Sequence, residues 1–378
     1  MPAQVAAPAP AAACPEPIPE KTSAAPITWA SSLVPTSWAA LPGWQEDRVN
    51  DALAPLLRSC TALRSQSTWQ PACDAALALN AGDEAAVRRF FEAAFTPYAV
   101  VNPDGSREGA ITGYYEPLLH GSRTPSKVYR FAVHAPPDDL LVVDLSELYP
   151  ELKPMRLRGR IEGRRVVPYY SRAELGAGKG RLAGREILWT DNAVELFFLQ
   201  IQGSGKVVLD SGETVRVSYA DQNGHPYRSI GRLLVERGEI GLDQASMQGI
   251  KAWAARHPER ASELLNQNGS YVFFRELPAT DEGPPGALGV PLTAGRSLAV
   301  DPRAIPLGAP VFLSTTWPNA QTPLRRLMLA QDTGGAIRGA VRADFYWGSG
   351  EEAGLLAGRM RQQGGLFVLL PLGFPLKP

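Results

Sequence analysis

Three aspartates fall within 44 residues near the C-terminal end of the chain. They are Asp301 in AVDPRAIPLG, Asp332 in AQDTGGAIRG and Asp344 in RADFYWGSG. Each stands beside a turn rich in glycine or proline, and Asp301 and Asp332 end runs that read as strands. A carboxylate there is costly to bury unless it is hydrogen-bonded or paired. Each could simply cap its turn by accepting backbone N–H groups. A carboxyl group held in a partly apolar cleft could instead give and take protons. The residues alone do not rank the three. Asp332-Thr333-Gly334 matches the D-T-G of aspartic proteases, but those enzymes need two such aspartates sharing a proton, and the chain has one D-T-G.

Further upstream, ITGYYEP places Thr112, Tyr114, Tyr115 and Glu116 in one short run. Tyrosines stack on sugar rings and bond hydroxyls through their OH groups. Neighbours on a strand face opposite sides, so only one of the pair can face a cleft. Glu116 is a candidate second carboxylate. In ELFFLQIQGSGKVVLDSG, the residues Gln200, Gln202, Ser204 and Lys206 alternate as along one strand face, the pattern of a polysaccharide groove. A phosphate loop is excluded, because neither glycine spacing of such loops is present. VSYADQNGHPYRSIGRLL gathers Tyr219, Asp221, Asn223, His225, Tyr227 and Arg228 before a helix, which suits either substrate contact or a solvated turn.

The elements that must hold these residues are short. Gly 36 and Pro 34 among 378 residues favour turns and strands over long helices. Helical spacing runs from Gln45 to Leu63, where Pro55 predicts a kink or a split, and again through Val87, Phe90, Phe91, Ala94 and Phe95. From Tyr115 to Tyr219 the pattern is mostly β. Helices are expected at Ser229–Glu236, from Ser246, at Pro258–Leu265 and at Glu351–Gln362, the last opened by a Ser349/Glu352 capping box. Strands are expected at Tyr271–Arg275, Ser297–Asp301, Pro310–Ser314, Leu327–Asp332 and Leu366–Leu370. Many short strands with long crossings suggest a small closed barrel within an α+β chain.

Composition removes several functions. Lys+Arg and Asp+Glu balance at 38 each, so no net field draws the chain to nucleic acid or an anionic bilayer. The four histidines are scattered and no CxxC occurs, so no metal site is expected. Cys60 and Cys73 could pair in an oxidising compartment or stay as buried thiols. Residues 1–29 read as a disordered leader rich in Ala and Pro. Its Ala-Ala-Ala-Cys14 is similar to the end of a bacterial lipoprotein signal, but the basic start and continuous apolar stretch of such a signal are missing.

Taken in order, TGYYEP, LFFLQIQGSG, YADQNGHPYRSIGRLL, NQNGSYVFFRE, GVPLTAGRSLAVDPRAIPLG, DTGGAIRG and ADFYWGSGEEAG resemble the membrane-bound lytic murein transglycosylase A family. The resemblance runs from about residue 110 to the C-terminus. It implies a double-psi β-barrel domain carrying three aspartates (the 3D region, about 285–372). It also implies a second β-domain inserted into the first, with a groove between them. By matching, the insertion covers 117–217 and the barrel domain 30–116 plus 218–378. The family's catalytic aspartate falls on Asp344, with Asp332 and Thr112 in support. The implied reaction cleaves the β-1,4 bond from N-acetylmuramic acid to N-acetylglucosamine and leaves a 1,6-anhydro ring, with no cofactor. Expected partners are peptidoglycan glycan strands in the periplasm, with outer-membrane attachment through Cys14 and cell-wall synthesis complexes left open. Two rivals remain: a hydrolase using two carboxylates, and a non-catalytic wall-binding or wall-loosening module, since fold does not fix function.

Overall fold

The computed structural model describes residues 27–152 and 155–376. The leader expected over 1–29, with Cys14, lies outside them as far as residue 26. Residues 27–29 are not part of a free tail. Thr28 caps the first helix through its side chain, and the Trp29 indole N–H donates to the Pro302 carbonyl at 2.9 Å.

The chain begins with α1 (Trp29–Ser32), β1 (Leu33–Pro35), α2 (Leu53–Leu63), α3 (Gln70–Leu77), α4 (Glu84–Ala94), β2 (Phe95–Val100) and β3 (Gly109–Glu116). A long middle block follows: β4 (Leu118–Ser122), β5 (Phe131–His134), β6 (Leu141–Val142), β7 (Arg158–Glu162), β8 (Arg165–Pro168), α5 (Arg172–Gly176), β9 (Glu186–Thr190), α6 (Ala193–Gln202), β10 (Ser204–Leu209) and β11 (Thr214–Gln222). It continues through α7 (Ile230–Glu236), α8 (Met247–Arg256), α9 (Pro258–Asn266) and β12 (Val272–Pro278). The last block holds β13 (Ser297–Val300), β14 (Pro310–Thr316), β15 (Pro323–Asp332), β16 (Ala343–Ser349), α10 (Gly350–Arg359) and β17 (Arg361–Pro371).

One sheet runs β1-β2-β17-β14-β15-β13-β16-β3, and β17 also pairs with β3. That extra pairing closes six strands into a barrel and leaves β1 and β2 as an extension of its wall. Closure removes the exposed edge that β3 would otherwise present. Within the ring, β13/β15 and β16/β3 are parallel. Parallel neighbours need long connections, and the whole middle block lies in the connection that follows β3. The chain is therefore mainly β with α, as expected.

The middle block builds its own sheet, β12-β11-β10-β4-β9-β5, and a small one, β6-β7-β8. This corrects the expected return to the barrel at 218. Ser218 sits within β11, paired with Ser204 of β10 and with Arg275 of β12, and the chain rejoins the barrel only at Ser297. Three apolar clusters follow the same division. The largest fills the barrel and its contact with α2–α4. A second lies among α6–α9, and a third under the six-stranded sheet.

The split at Pro55 is observed. A 3-10 turn covers Val49–Ala52 and α2 starts at Leu53, so Pro55 falls in a first turn whose N–H groups need no partner inside the helix. Cys60 of α2 and Cys73 of α3 form a disulfide. The α-helical arm is fixed to the barrel by Arg296, whose Nη1 donates to both Asp47 oxygens at 3.1 and 3.0 Å.

One correction concerns the run ELFFLQIQ, whose Gln200 and Gln202 were expected on a strand with Ser204 and Lys206. It forms α6, because Asn192 accepts the N–H groups of Val194 and Glu195 at one end and Gly203 ends the helix with φ +82°. Leu196, Phe197, Phe198, Leu199 and Gln200 are all buried, between the six-stranded sheet and the other helices, so no polar stripe shows.

Candidate active site

Strands β3 and β16 run parallel with Thr112 opposite Asp344 and Tyr114 opposite Tyr346. Side chains on a strand alternate, so Thr112 and Tyr114 share one face, as do Asp344 and Tyr346. The Thr112 hydroxyl donates to Asp344 Oδ1 at 2.5 Å. Tyr114 donates to Asp332 Oδ2 at 3.0 Å, and its ring lies 5.2 Å from that of Tyr346. The backbone N–H of Ala287 donates to Asp332 Oδ1 at 2.9 Å. Gly113 and Tyr115 face α10. A methyl group on Gly113 would meet Ala357 Cα at 3.0 Å and the Trp347 indole nitrogen at 2.6 Å, which accounts for a glycine at this position.

The two aspartates differ electrostatically. Burial pushes the Asp344 carboxyl up from the ordinary carboxylate range, while the Arg342 charge and the Thr112 hydrogen bond pull it down. Asp332 is pushed up to about 6 by burial, against hydrogen bonds from Thr333, Ala287 and Tyr114, with a smaller upward contribution from the Asp344 charge. Asp344 remains only half-buried. Among the described residues no donor is bonded to its second oxygen, Oδ2. The pair thus offers one carboxyl with a free oxygen and raised proton affinity beside one whose oxygens are both engaged.

The other expected site residues go elsewhere. Asp301 is fully buried. It accepts from Arg303 Nη2 at 2.6 Å and from the Gly339 backbone at 3.0 Å, which makes it the turn cap of the two readings. Glu116 is buried against Arg216 of β11, with Nε–Oε1 2.6 Å, and also accepts the Ser349 hydroxyl at 2.9 Å. That hydroxyl is therefore unavailable to cap α10, and the expected Ser349 capping box does not form. Gln200 is buried and donates to the Val272 carbonyl at 3.3 Å. Ser204 opens β10 opposite Ser218. Tyr219 lies under the Arg156 guanidinium, 5.7 Å from its ring centre, and Asp221 accepts from Arg158 Nε at 2.8 Å. Residues leading into and within the small three-stranded sheet therefore cover the face that Tyr219 and Asp221 were expected to present.

A cavity of about 220 Å³ lies between the barrel and the middle block, lined by Gly113, Tyr115, Gln202, Tyr227, Met247 and Arg361 among others. Gln202 also accepts the Tyr115 backbone N–H at 3.0 Å. Asp344 does not line this cavity, but Gly113 places it next to Thr112. Of the aromatic run after Asp344, only Tyr346 packs on Tyr114. Phe345 and Trp347 pack on each other, 4.4 Å between ring centres, within the large cluster. Arg342 was not singled out from the sequence. Its Nη2 donates to Thr112 Oγ1 at 2.8 Å. The signal available was its position two residues before Asp344, which suits one face of an extended segment.

Among the described residues no helix is long and apolar enough to cross a membrane. Residues 110–275 match the family model of the MltA specific insert domain, and residues 296–370 match that of the 3D domain. The chain is 35% identical over 268 residues to membrane-bound lytic murein transglycosylase A of Escherichia coli K12, covering 68% of this chain and 65% of that protein. It thus spans just under two-thirds of that relative's length. The crystal structure of MltA from Neisseria gonorrhoeae, monoclinic form, is 40% identical, with TM-score 0.77 over 92% of this chain and 94% of that one. E. coli MltA with bound chitohexaose is 27% identical, with TM-score 0.68 over 90% and 94%.

Proposed function

We propose that this chain, which belongs to the membrane-bound lytic murein transglycosylase A family, cleaves peptidoglycan glycan strands with Asp344 acting first as acid and then as base. The observation that carries the reading is the state of Asp344. It is a half-buried carboxyl with raised proton affinity, one oxygen held by Thr112 and the other unbonded among the described residues. The chitohexaose bound to the E. coli relative supports an amino-sugar polymer as substrate. The Cys60–Cys73 disulfide supports an oxidising compartment, the periplasm.

In this mechanism protonated Asp344 gives its proton to the oxygen leaving C1 of N-acetylmuramic acid. Positive charge grows at C1 as in other glycoside cleavage. The Asp344 carboxylate then takes the proton of the muramic C6 hydroxyl, whose oxygen closes on C1. The bond from C1 to the leaving oxygen breaks, the bond from C6 oxygen to C1 forms, and Asp344 ends protonated again. An internal nucleophile is already close and needs no activated water, so one carboxyl suffices. In this reading ionised Asp332, which accepts the Tyr114 hydroxyl, favours the growing positive charge.

Digestion of purified peptidoglycan by wild type and Asp344→Asn, followed by mass spectrometry, tests the proposal. Fragments lighter by one water than hydrolytic products are expected from wild type and absent with the variant. Hydrolytic masses from wild type would favour the two-carboxylate hydrolase. Binding with no cleavage would favour the non-catalytic module.

A further inference from the structure

We propose that Arg342 is a positioning residue that, through the Thr112 hydroxyl, directs which Asp344 oxygen carries the travelling proton. This rests on the reading of Asp344 as acid and base. A guanidinium can only donate hydrogen bonds, while a hydroxyl donates one and accepts others. Because Arg342 Nη2 donates to Thr112 Oγ1 at 2.8 Å, the Thr112 proton must point away from it. It points to Asp344 Oδ1, 2.5 Å away. Oδ1 is thereby filled as an acceptor, and the exchangeable proton belongs on Oδ2, the oxygen without a donor among the described residues. The guanidinium is fixed for this task. Its Nη1 donates to the Ala110 carbonyl at 3.3 Å and to the Ala343 carbonyl, one on each strand of the β3/β16 pair.

The same group answers a conflict in the chemistry. A carboxyl that is only buried holds its proton too tightly to be an efficient acid, whereas an efficient acid–base group sits near the working pH. Asp344 must release a proton in one half of the reaction and bind one in the other. Burial pushes it up and the Arg342 charge pulls it back. Burial also lowers the affinity of Arg342 for its own proton, but the group stays cationic.

The test compares kcat, KM and the pH–rate profile of wild type, Arg342→Gln, Arg342→Lys and Thr112→Val, and of Arg342→Gln in the Thr112→Val background. Activity needs protonated Asp344, so the alkaline limb reports its pKa. In Arg342→Gln the limb moves up by about one pH unit, as loss of a nearby opposite charge requires. Its plateau kcat falls about tenfold or more with KM within about twofold, as for a misplaced reacting group. Arg342→Lys keeps the limb near its wild-type position and loses part of kcat. In the Thr112→Val background, Arg342→Gln still moves the limb but lowers kcat only about twofold or less, because the path through the hydroxyl is already gone. An alkaline limb that stays in place in Arg342→Gln overturns the proposal. So does the same fold-loss of kcat with and without Thr112. Melting temperatures of all variants separate loss of the strand clamp from these effects. If wild type releases no anhydro product, it is the reading of the reaction that fails.

Discussion

At the scale of single residues, the site holds two carboxyls in unlike states. Asp332 is pushed up to about 6, chiefly by burial, so its charged form is disfavoured in the folded chain. A carboxyl raised on folding adds stability that is fully present below its unfolded value, near 3.8, and is lost as pH rises through about 6. Above that pH wild type carries a half-buried charge that an amide would not. Asp332→Asn keeps an oxygen for the Ala287 N–H. The variant is expected to be more stable than wild type by about 1–3 kcal/mol at pH 8, and to show little gain at pH 4. Denaturant unfolding at the two pH values measures this, and an equal effect at both would show that Asp332 is not titrating as described. Its role in the reaction is separable. If ionised Asp332 favours the charge growing at C1, Asp332→Asn lowers kcat most at the alkaline side of the profile. Unchanged rates at every pH would remove it from the mechanism.

At the scale of elements, legibility followed periodicity. Strands β13, β14 and the apolar ends of β15 and β17 were legible as short apolar runs bounded by turn residues, whereas β16, which carries Asp344, was not expected as a strand. The helix at α4 was legible because its apolar residues recur at one period against polar neighbours. In α6 that contrast fails. Leu196 to Gln200 are buried together, so the Gln200-Ile201-Gln202 end looked like strand alternation. The usable signal was at the boundaries: Asn192 and Gly203, one turn-former on each side of the apolar run. Among the three aspartates, strand pattern could not show that Asp301 would meet Arg303, since a turn's side-chain partners depend on its folded path. The resemblance singled out Asp344, and the register of β3 on β16 brings Thr112 to it from 232 residues away. Gly203 carries a second expectation. A Cβ there meets nothing closer than Tyr219 Cβ at 4.0 Å, so Gly203→Ala costs only left-handed backbone strain, about 1–2 kcal/mol. Chemical unfolding checks that figure. A cost well above it would mean that α6 shifts, carrying with it the Gln202 bond to the Tyr115 N–H.

At the scale of the whole molecule, the barrel and the middle block must keep a fixed relation for β3 to serve the site. The peptide after β3 enters the middle block directly, and Glu116, the last residue of that strand, is where the two are joined. Its carboxylate is fully buried and held by Arg216 of β11, while Ser349 at the end of β16 donates to the same group. Arg216 also reaches the Glu282 carbonyl at 2.7 Å, on the segment that leads back to the barrel. One ion pair thus gathers the outgoing strand, the returning segment and the strand that carries Asp344. Taking two charges out of water is costly, so the pair adds little net stability over an apolar replacement. Removing one partner, by contrast, strands a buried charge at about 3–5 kcal/mol. Arg216→Met alone is therefore expected to lower stability by about that amount. The double variant Glu116→Gln with Arg216→Met should recover part of the loss, because no lone charge remains. Activity should not recover in parallel: the neutral pair no longer fixes the orientation of β3, and a small misplacement of Thr112 relative to Asp344 lowers kcat strongly. Unfolding free energies and peptidoglycan turnover for the two single variants and the double variant supply both comparisons. A double variant that regained stability and full activity together would show that the ion pair does not hold the site in place.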